Sequence, residues 1–155
     1  MQLFIIRHAH ALKGDDDAAR PLSERGEAQI RAVAKFLRSA GGLEVGEIWH
    51  SGLVRSRDTA VAMVKQLGMR VPLAEMKELA PGQDPALIAA RLTERKVPLA
   101  IVGHEPHLSA LASLLVAGAA TPPVFVLRKC AVLALEREHE HWAVLWQISP
   151  ELLGA

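Results

Sequence analysis

The sequence predicts an α/β protein with three layers, an α/β/α sandwich in which helices cover both faces of a mostly parallel central sheet. Strand-like and helix-like segments alternate along most of the chain, whereas the C-terminal end holds strand-like segments only. The alternation implies right-handed crossovers between parallel strands. The C-terminal segments predict an antiparallel hairpin at the edge of the sheet. We expect residues 1–155 to form a single domain.

Strands are predicted where apolar residues follow one another in short runs bounded by turn residues. In chain order these runs are Leu3 to Ile6, Val45 to His50, Val71 to Ala74, Leu99 to Val102, Val124 to Leu127, Ala131 to Leu135 and Trp142 to Ile148. The last two should form the hairpin, joined by the charged turn Glu136 to His141.

Helices are predicted where apolar residues recur every three or four positions between start and stop signals. The first follows Ser23, a good N-cap, and ends before Gly41-Gly42. The second ends at Gly68. The third begins at Asp84-Pro85, a capping carboxylate followed by proline, and the fourth begins at Pro106.

Composition excludes several classes of protein. Of 155 residues, 18 are Lys or Arg and 17 are Asp or Glu, so the formal charge of +1 argues against binding nucleic acid through bulk electrostatics. The single cysteine, Cys130, excludes an internal disulfide and fits a reducing compartment. The apolar runs are too short for a signal-peptide core or a membrane span, so we expect a soluble, cytoplasmic protein with no membrane partner.

Polar side chains follow three of the predicted strands. Arg7 and His8 end the first strand, His50 and Ser51 end the second and lead to Arg55, and the central strand is followed by His104. Ligands of open α/β sheets bind beyond the carboxyl ends of the strands, where these residues should meet. One such histidine is often structural and one such arginine is often solvated, but three groups at equivalent strand ends favour a site.

The residue types at these strand ends suit a phosphoryl dianion. Arginine presents a planar fork of donors that matches phosphate oxygens and keeps its charge. His104 precedes a predicted helix N-terminus, which also favours an anion. Cations beside a histidine favour its neutral, nucleophilic form.

The order of these motifs resembles the histidine phosphatase superfamily, the group that includes the phosphoglycerate mutases. The motifs are the segment Leu3 to His8, then Ser51, Leu53, Arg55, Thr59 and Ala60, and then Val102-Gly103-His104. Other segments are similar to the compact SixA branch of phosphohistidine phosphatases: Arg20-Pro21-Leu22-Ser23 with Gly26, and Leu79-Ala80-Pro81-Gly82 with Asp84-Pro85.

The resemblance implies a phosphoglycerate-mutase-like fold and a metal-independent phosphatase that needs no cofactor. His8 would be the nucleophile that becomes phosphorylated. Arg7, Arg55 and His104 would hold the phosphoryl oxygens through both transfers. The substrate would be a phosphorylated protein, such as a phosphotransfer domain of a phosphorelay, or a small phosphorylated compound.

The general acid is less clearly marked. Relatives that cleave phosphate esters protonate the leaving oxygen with a carboxylic acid, for which Glu78 is the candidate here. Asp84 is better explained as a helix N-cap. The P–N bond of phosphohistidine is labile and its imidazole can leave protonated, so we expect phosphohistidine to be cleaved much faster than alkyl phosphates.

Three alternatives remain open at this stage. The chain could be a phosphomonoesterase for a small metabolite, or a non-catalytic module that binds phosphate or phosphohistidine. His8 and His10 could also begin a metal site, although neighbouring arginines would repel a divalent cation. Elsewhere, we expect Cys130 to be a core thiol in an apolar strand and Asp15 to Asp17 to be a solvated loop.

Overall fold

The computed structural model describes residues 1–155, which form a six-stranded sheet between two layers of helices. The strands are β1 (Gln2–Arg7), β2 (Glu47–His50), β3 (Leu73–Glu75), β4 (Leu99–Gly103), β5 (Val132–Glu138) and β6 (His141–Ile148). The helices are α1 (Glu24–Ser39), α2 (Val54–Leu67), α3 (Pro85–Thr93) and α4 (His107–Ala117), with short 3-10 turns at Asp17–Ala19, Lys77–Leu79 and Pro150–Leu153. None of the helices has the length and apolar character needed to cross a membrane.

The strand order is β3-β2-β4-β1-β5-β6. The first four strands along the chain pair in parallel, with β4 between β1 and β2. β5 joins β1 antiparallel and continues into β6 as a hairpin. The mostly parallel sheet with an antiparallel C-terminal hairpin, predicted from the sequence, is therefore confirmed.

The alternation of side chains along β1 divides the core into two layers. Leu3 and Ile5 pack on one face against α3 and α4, and Phe4 and Ile6 pack on the other against α1 and α2. All four side chains are buried. Because both faces of the strand are covered, β1 is apolar throughout its interior rather than alternating with polar residues.

The predicted helix signals act as expected. The Ser23 hydroxyl accepts the Gly26 N–H at 3.1 Å, and the Asp84 carboxylate accepts the Ala86 N–H at 2.9 Å. Gly68 ends α2 with a φ of 66°, which glycine adopts without strain. The interpretation of Asp84 as an N-cap is therefore confirmed.

The strand predicted at Val124 to Leu127 is wrong. These residues form no ladder, and their backbone groups pair with side chains: the Val126 carbonyl accepts from Gln147 and the Leu127 carbonyl from Arg7. Val124 and Val126 are 64% and 67% exposed, so their apolar side chains do not face a core. β-Branched residues raise strand propensity but do not by themselves supply a partner strand.

Two boundaries near the C-terminus also differ from prediction. The β5–β6 hairpin turn is only His139-Glu140, because the charged residues before and after it continue the ladder. Cys130 lies in a turn before β5, not in a strand, and has a φ of 59°. It is nevertheless a core thiol, and burial raises its pKa to about 12.

Candidate active site

Three neighbouring strands end at the same level of the sheet. Arg7 of β1 is in register with Gly103 of β4, and His50 of β2 is in register with Val102. The next residues stay anchored to β4, since the His8 N–H donates to the Gly103 carbonyl at 2.9 Å and the Ser51 N–H to the Val102 carbonyl at 3.3 Å. The order of the strands therefore brings the polar residues at these three strand ends together, as the sequence predicts.

His8 is buried, with 6% of its surface exposed. Its Nδ1–H donates to the carbonyl of Ala9 at 2.7 Å, which leaves Nε2 with its lone pair free. Burial, followed by the neighbouring His104 and the charge of Arg55, lowers the pKa of His8 to about 3. The imidazole is therefore neutral at neutral pH and can act as a nucleophile through Nε2.

The backbone around His8 is fixed by hydrogen bonds from two other elements. Thr59 of α2 accepts the Ala9 N–H at 3.0 Å and donates its own hydroxyl to the Arg55 carbonyl at 2.7 Å. The Cys130 N–H is shared between the carbonyls of Arg7 and His8, at 3.1 and 3.2 Å. The left-handed conformation of Cys130 aims its N–H at that turn, at some cost in backbone strain.

His104 faces His8, with ring centroids 5.0 Å apart. Its Nε2 lies 2.5 Å from the hydroxyl of Ser51, which is fully buried and has no other acceptor. The Ser51 O–H therefore donates to Nε2, which leaves the ring proton of His104 on Nδ1. Burial and the charge of Arg55 lower the pKa of His104 to about 4.

Two guanidinium groups border the same space. Arg55 is 6% exposed, and its Nη1 and Nη2 donate to the Asp17 backbone carbonyl at 2.7 Å and the Asp17 carboxylate at 3.2 Å. Arg7 donates from Nη1 to the Leu127 carbonyl at 2.8 Å. Both arginines are thus oriented from outside the site, and their charges lower the pKa of His104.

Three buried donor atoms at this site have no hydrogen-bond partner in the protein: Arg7 Nε, Arg55 Nε and His104 Nδ1. Buried polar groups are nearly always paired, and leaving one unpaired costs about 1–3 kcal/mol. Three such donors on residues that neighbour His8 concentrate positive potential that suits an oxyanion with several oxygens. His8, Arg7, Arg55 and His104, all predicted from the sequence, are brought together here.

Asp17 is not simply part of a solvated loop, as the sequence suggested. Its carboxylate bridges Arg20 at 3.1 Å and Arg55 at 3.2 Å, and these two partners lower its pKa. The carboxylate remains 65% exposed. The short 3-10 turn that begins at Asp17 therefore closes over one side of Arg55.

Glu78, the candidate general acid, has a different set of partners. Its carboxylate accepts from Arg91 Nε at 2.7 Å, on the exposed side of α3, and forms its ion pair with the same guanidinium. A backbone hydrogen bond and the Arg91 contact lower the pKa of Glu78, so it is ionised at neutral pH. Its role as an acid stays a prediction.

Sequence reasoning assigned no role to Ser51 or Thr59, although both lie in the motif that carried the resemblance. Ser51 precedes Arg55 by four residues and Thr59 follows it by four, and this spacing could have indicated that both lie near the site. No sequence pattern indicated the contact between Asp17 and Arg55, because these residues are 38 positions apart along the chain.

The comparisons with known proteins agree with this geometry. The protein histidine phosphatase SixA, solved with tungstate, matches with a TM-score of 0.88 and 27% identity over 99% of each chain. A protein assigned as phosphohistidine phosphatase SixA from Agrobacterium tumefaciens matches with a TM-score of 0.79 and 20% identity, over 96% of this chain and 97% of that one. The α-ribazole phosphatase from Shigella flexneri shares the fold with a TM-score of 0.81 and 17% identity over 97% of each chain.

Among curated proteins, none matches this sequence significantly. A family model described as the histidine phosphatase superfamily (branch 1) matches residues 3–84, more than half of the chain. That match, on a phosphoglycerate-mutase-like fold with the family's motifs converging at the strand ends, shows that the chain belongs to the histidine phosphatase superfamily.

Proposed function

We propose that this protein removes phosphate from phosphohistidine on a protein, through a phosphorylated His8 intermediate. His8 is the nucleophile, and Arg7, Arg55 and His104 hold the phosphoryl oxygens. A protein such as the phosphotransfer domain of a phosphorelay is the class of substrate we infer.

One observation carries this proposal: three buried donors without a partner, Arg7 Nε, Arg55 Nε and His104 Nδ1, belong to the residues grouped with His8, whose Nε2 is free. A phosphoryl group in transfer spreads its charge over three equatorial oxygens, which such donors can stabilise. The SixA structure that this chain resembles was solved with tungstate, a tetrahedral oxyanion.

The chemistry balances without a protein acid. Nε2 of His8 attacks phosphorus, the P–N bond of the substrate breaks, and its electron pair returns to a ring whose second nitrogen carries a proton from solvent. The substrate imidazole then leaves neutral. Water next attacks phosphorus, the bond to His8 breaks, and dihydrogen phosphate leaves while Nε2 recovers its lone pair.

The attacking group and the leaving group are both imidazoles, which favours phosphohistidine over phosphate esters as the substrate. An alkoxide leaving group needs a proton in the transition state, and such general acid catalysis is worth about 10²–10⁴-fold. Glu78 is ionised and paired with Arg91, so it is a poor donor at neutral pH. We therefore expect kcat/KM for phosphohistidine to exceed that for an alkyl phosphate by at least about 100-fold.

The test is to trap the intermediate and compare substrates. Wild type, His8→Ala and the control His141→Gln are incubated with a phosphohistidine peptide, quenched in alkali and examined by intact mass. His141 is an exposed histidine of β6, far along the chain from the site. We expect one added phosphoryl group, stable in base and lost in acid, in wild type and in the control but not in His8→Ala.

Other outcomes select the alternatives. An adduct with equal rates on phosphohistidine and alkyl phosphates contradicts the assigned substrate and favours a phosphomonoesterase for a small metabolite. Absence of both adduct and phosphate release, with tungstate binding retained, would make the protein a phosphate-binding module without catalysis.

A further inference from the structure

A cleft of about 280 Å³ opens beside the candidate active site and has no apolar residue in its lining. It lies between the end of β1, the start of α1 and the turn before β5. Four of its lining residues are cations: Arg7, Arg25, Arg128 and Lys129. We call it the basic cleft.

Most of this charge is uncompensated. Arg25, Arg128 and Lys129 take part in none of the protein's ion pairs or side-chain hydrogen bonds. The six arginines that do form ion pairs lie at other positions: Arg20, Arg31, Arg55, Arg57, Arg91 and Arg95. The chain as a whole carries a formal charge of only +1, so the concentration of cations in the cleft does not follow from composition.

Gathering these cations is unfavourable for the protein alone. Lys129 is half-buried, and burial together with the charges of Arg7 and Arg20 lowers its pKa. The one acidic residue of the lining, Glu151, is exposed and lies beyond ion-pair distance of all of them. Burial and the charge of Lys129 lower the pKa of His10, which favours its neutral form. An anion bound in the cleft would relieve this repulsion.

A buried amide adds a directed donor. Gln29 is 2% exposed and accepts the His10 N–H through Oε1 at 2.9 Å, which fixes the orientation of the amide. Its Nε2 has no partner in the protein, and Gln29 forms part of the cleft lining. The cleft thus combines the cations of its lining with one N–H donor whose orientation is fixed.

The basic cleft and the candidate active site share Arg7. This residue directly precedes His8 and also lines the cleft. A substrate with its phosphoryl group at His8 can therefore extend a second anionic group across Arg7. Metabolite pockets are mostly apolar and enclose their ligand, whereas this lining is wholly polar and includes the exposed Arg25 and Arg128. Such a rim suits a side chain carried by a larger partner.

We propose that the basic cleft binds the carboxylate of an acidic side chain that lies near the phosphohistidine on the protein substrate. This inference rests on the proposed function and assigns it a specificity: phosphohistidine next to acidic residues. The cleft acts on binding of the substrate and leaves the phosphoryl transfer to the His8 site.

The test uses two phosphohistidine peptides that differ only in having Asp and Glu, or Asn and Gln, beside the phosphohistidine. Exposed ion pairs contribute modestly, so we expect wild type to favour the acidic peptide by about tenfold in KM, with similar kcat. The variant Arg25→Gln with Arg128→Gln should lower this preference to about twofold or less. The control Arg31→Gln with Arg38→Gln removes the same charge from exposed positions of α1 and should keep it. Added salt should reduce the wild-type preference.

The outcomes separate the two proposals. If wild type hydrolyses both peptides with equal KM, the cleft does not bind substrate carboxylates, although the proposed function stands. If the control variant loses the preference as fully as the cleft variant, general charge is responsible and the site is overturned. If the cleft variant keeps the peptide preference but hydrolyses a sugar bisphosphate less well than the monophosphate, relative to wild type, the cleft binds a second phosphate group instead of a carboxylate. If wild type hydrolyses neither peptide, the proposed function fails and takes this inference with it.

Discussion

Gly26 lies in the first turn of α1, where replacement by alanine tests how tightly the active-site turn is packed. A Cβ added to Gly26 would lie 2.1 Å from the carbonyl oxygen of His10, far inside van der Waals contact. His10 follows His8 by two residues, so its backbone cannot shift independently of the nucleophile. Helix propensity alone gives the opposite expectation, because alanine is favoured over glycine in a helix by about 1 kcal/mol.

The magnitude follows from what must move. The His10 carbonyl would have to retreat by more than about 1 Å, and it accepts the Ser23 N–H at 3.1 Å and the Ser23 hydroxyl at 3.3 Å. Losing these contacts costs about 1 kcal/mol each, and forcing an extra methyl group into a packed site costs about 1–3 kcal/mol. We expect Gly26→Ala to destabilise the protein by about 2–4 kcal/mol despite the gain in propensity. A displacement of about 1 Å at the nucleophile should also lower kcat by about 100-fold.

The measurements are urea unfolding and steady-state hydrolysis of a phosphoramidate. The matched control is Gly14→Ala, since a Cβ there comes no closer than 3.6 Å to a flexible arginine side chain. It should change the free energy of unfolding by less than about 0.5 kcal/mol. A Gly26→Ala protein that is as stable as wild type, or more so, would refute the steric argument and show that the turn adapts freely.

Two further predictions concern the histidines. Ser51→Ala removes the donor to His104 Nε2, so kcat should fall by about tenfold or more with little change in KM, and the ¹⁵N shifts of the ring should lose their preference for the Nδ1–H form. In the folded protein the pKa values of His8 and His104 are lowered to about 3 and about 4, from the ordinary histidine value of 6.5. Between these pH values the unfolded chain therefore binds more protons than the folded protein does. The free energy of unfolding should therefore decrease as pH falls from 6.5, by about 1 kcal/mol per pH unit for each histidine near pH 5–6. In His8→Gln, urea unfolding measured at several pH values should show a smaller change of this free energy with pH.

Much of the site was predictable because strand order converts sequence positions into neighbours. Once the strands were predicted to be parallel, Arg7, His8 and His104 were expected to lie at one edge of the sheet, whatever the loops did. Arg55 followed from the same argument, because it lies in the first turn of α2, just after the second strand. These residues depend on the sheet, and sheets are strongly encoded by buried apolar runs.

What could not be predicted depends on contacts across loops. Nothing in the acidic run Asp15 to Asp17 distinguishes the one carboxylate that reaches Arg55. The Val124 to Leu127 segment has the composition of a strand, but its place in the fold offers it no partner. Cys130 has a backbone conformation more typical of glycine, and its composition gives no sign of it. Each of these features depends on contacts between residues that are distant along the chain and become neighbours only in the folded protein.

The contact between Asp17 and Arg55 gives the site an internal competitor. An anion that takes Nη2 of Arg55 must displace the Asp17 carboxylate already held there. Because that carboxylate is largely exposed, the ion pair is worth less than about 1 kcal/mol, or about fivefold in affinity. This penalty lowers the affinity of every anion that takes Nη2 of Arg55 by the same factor. Free phosphate is subject to it as well, so the tethered carboxylate of Asp17 favours release of the product once its bond to the protein is gone.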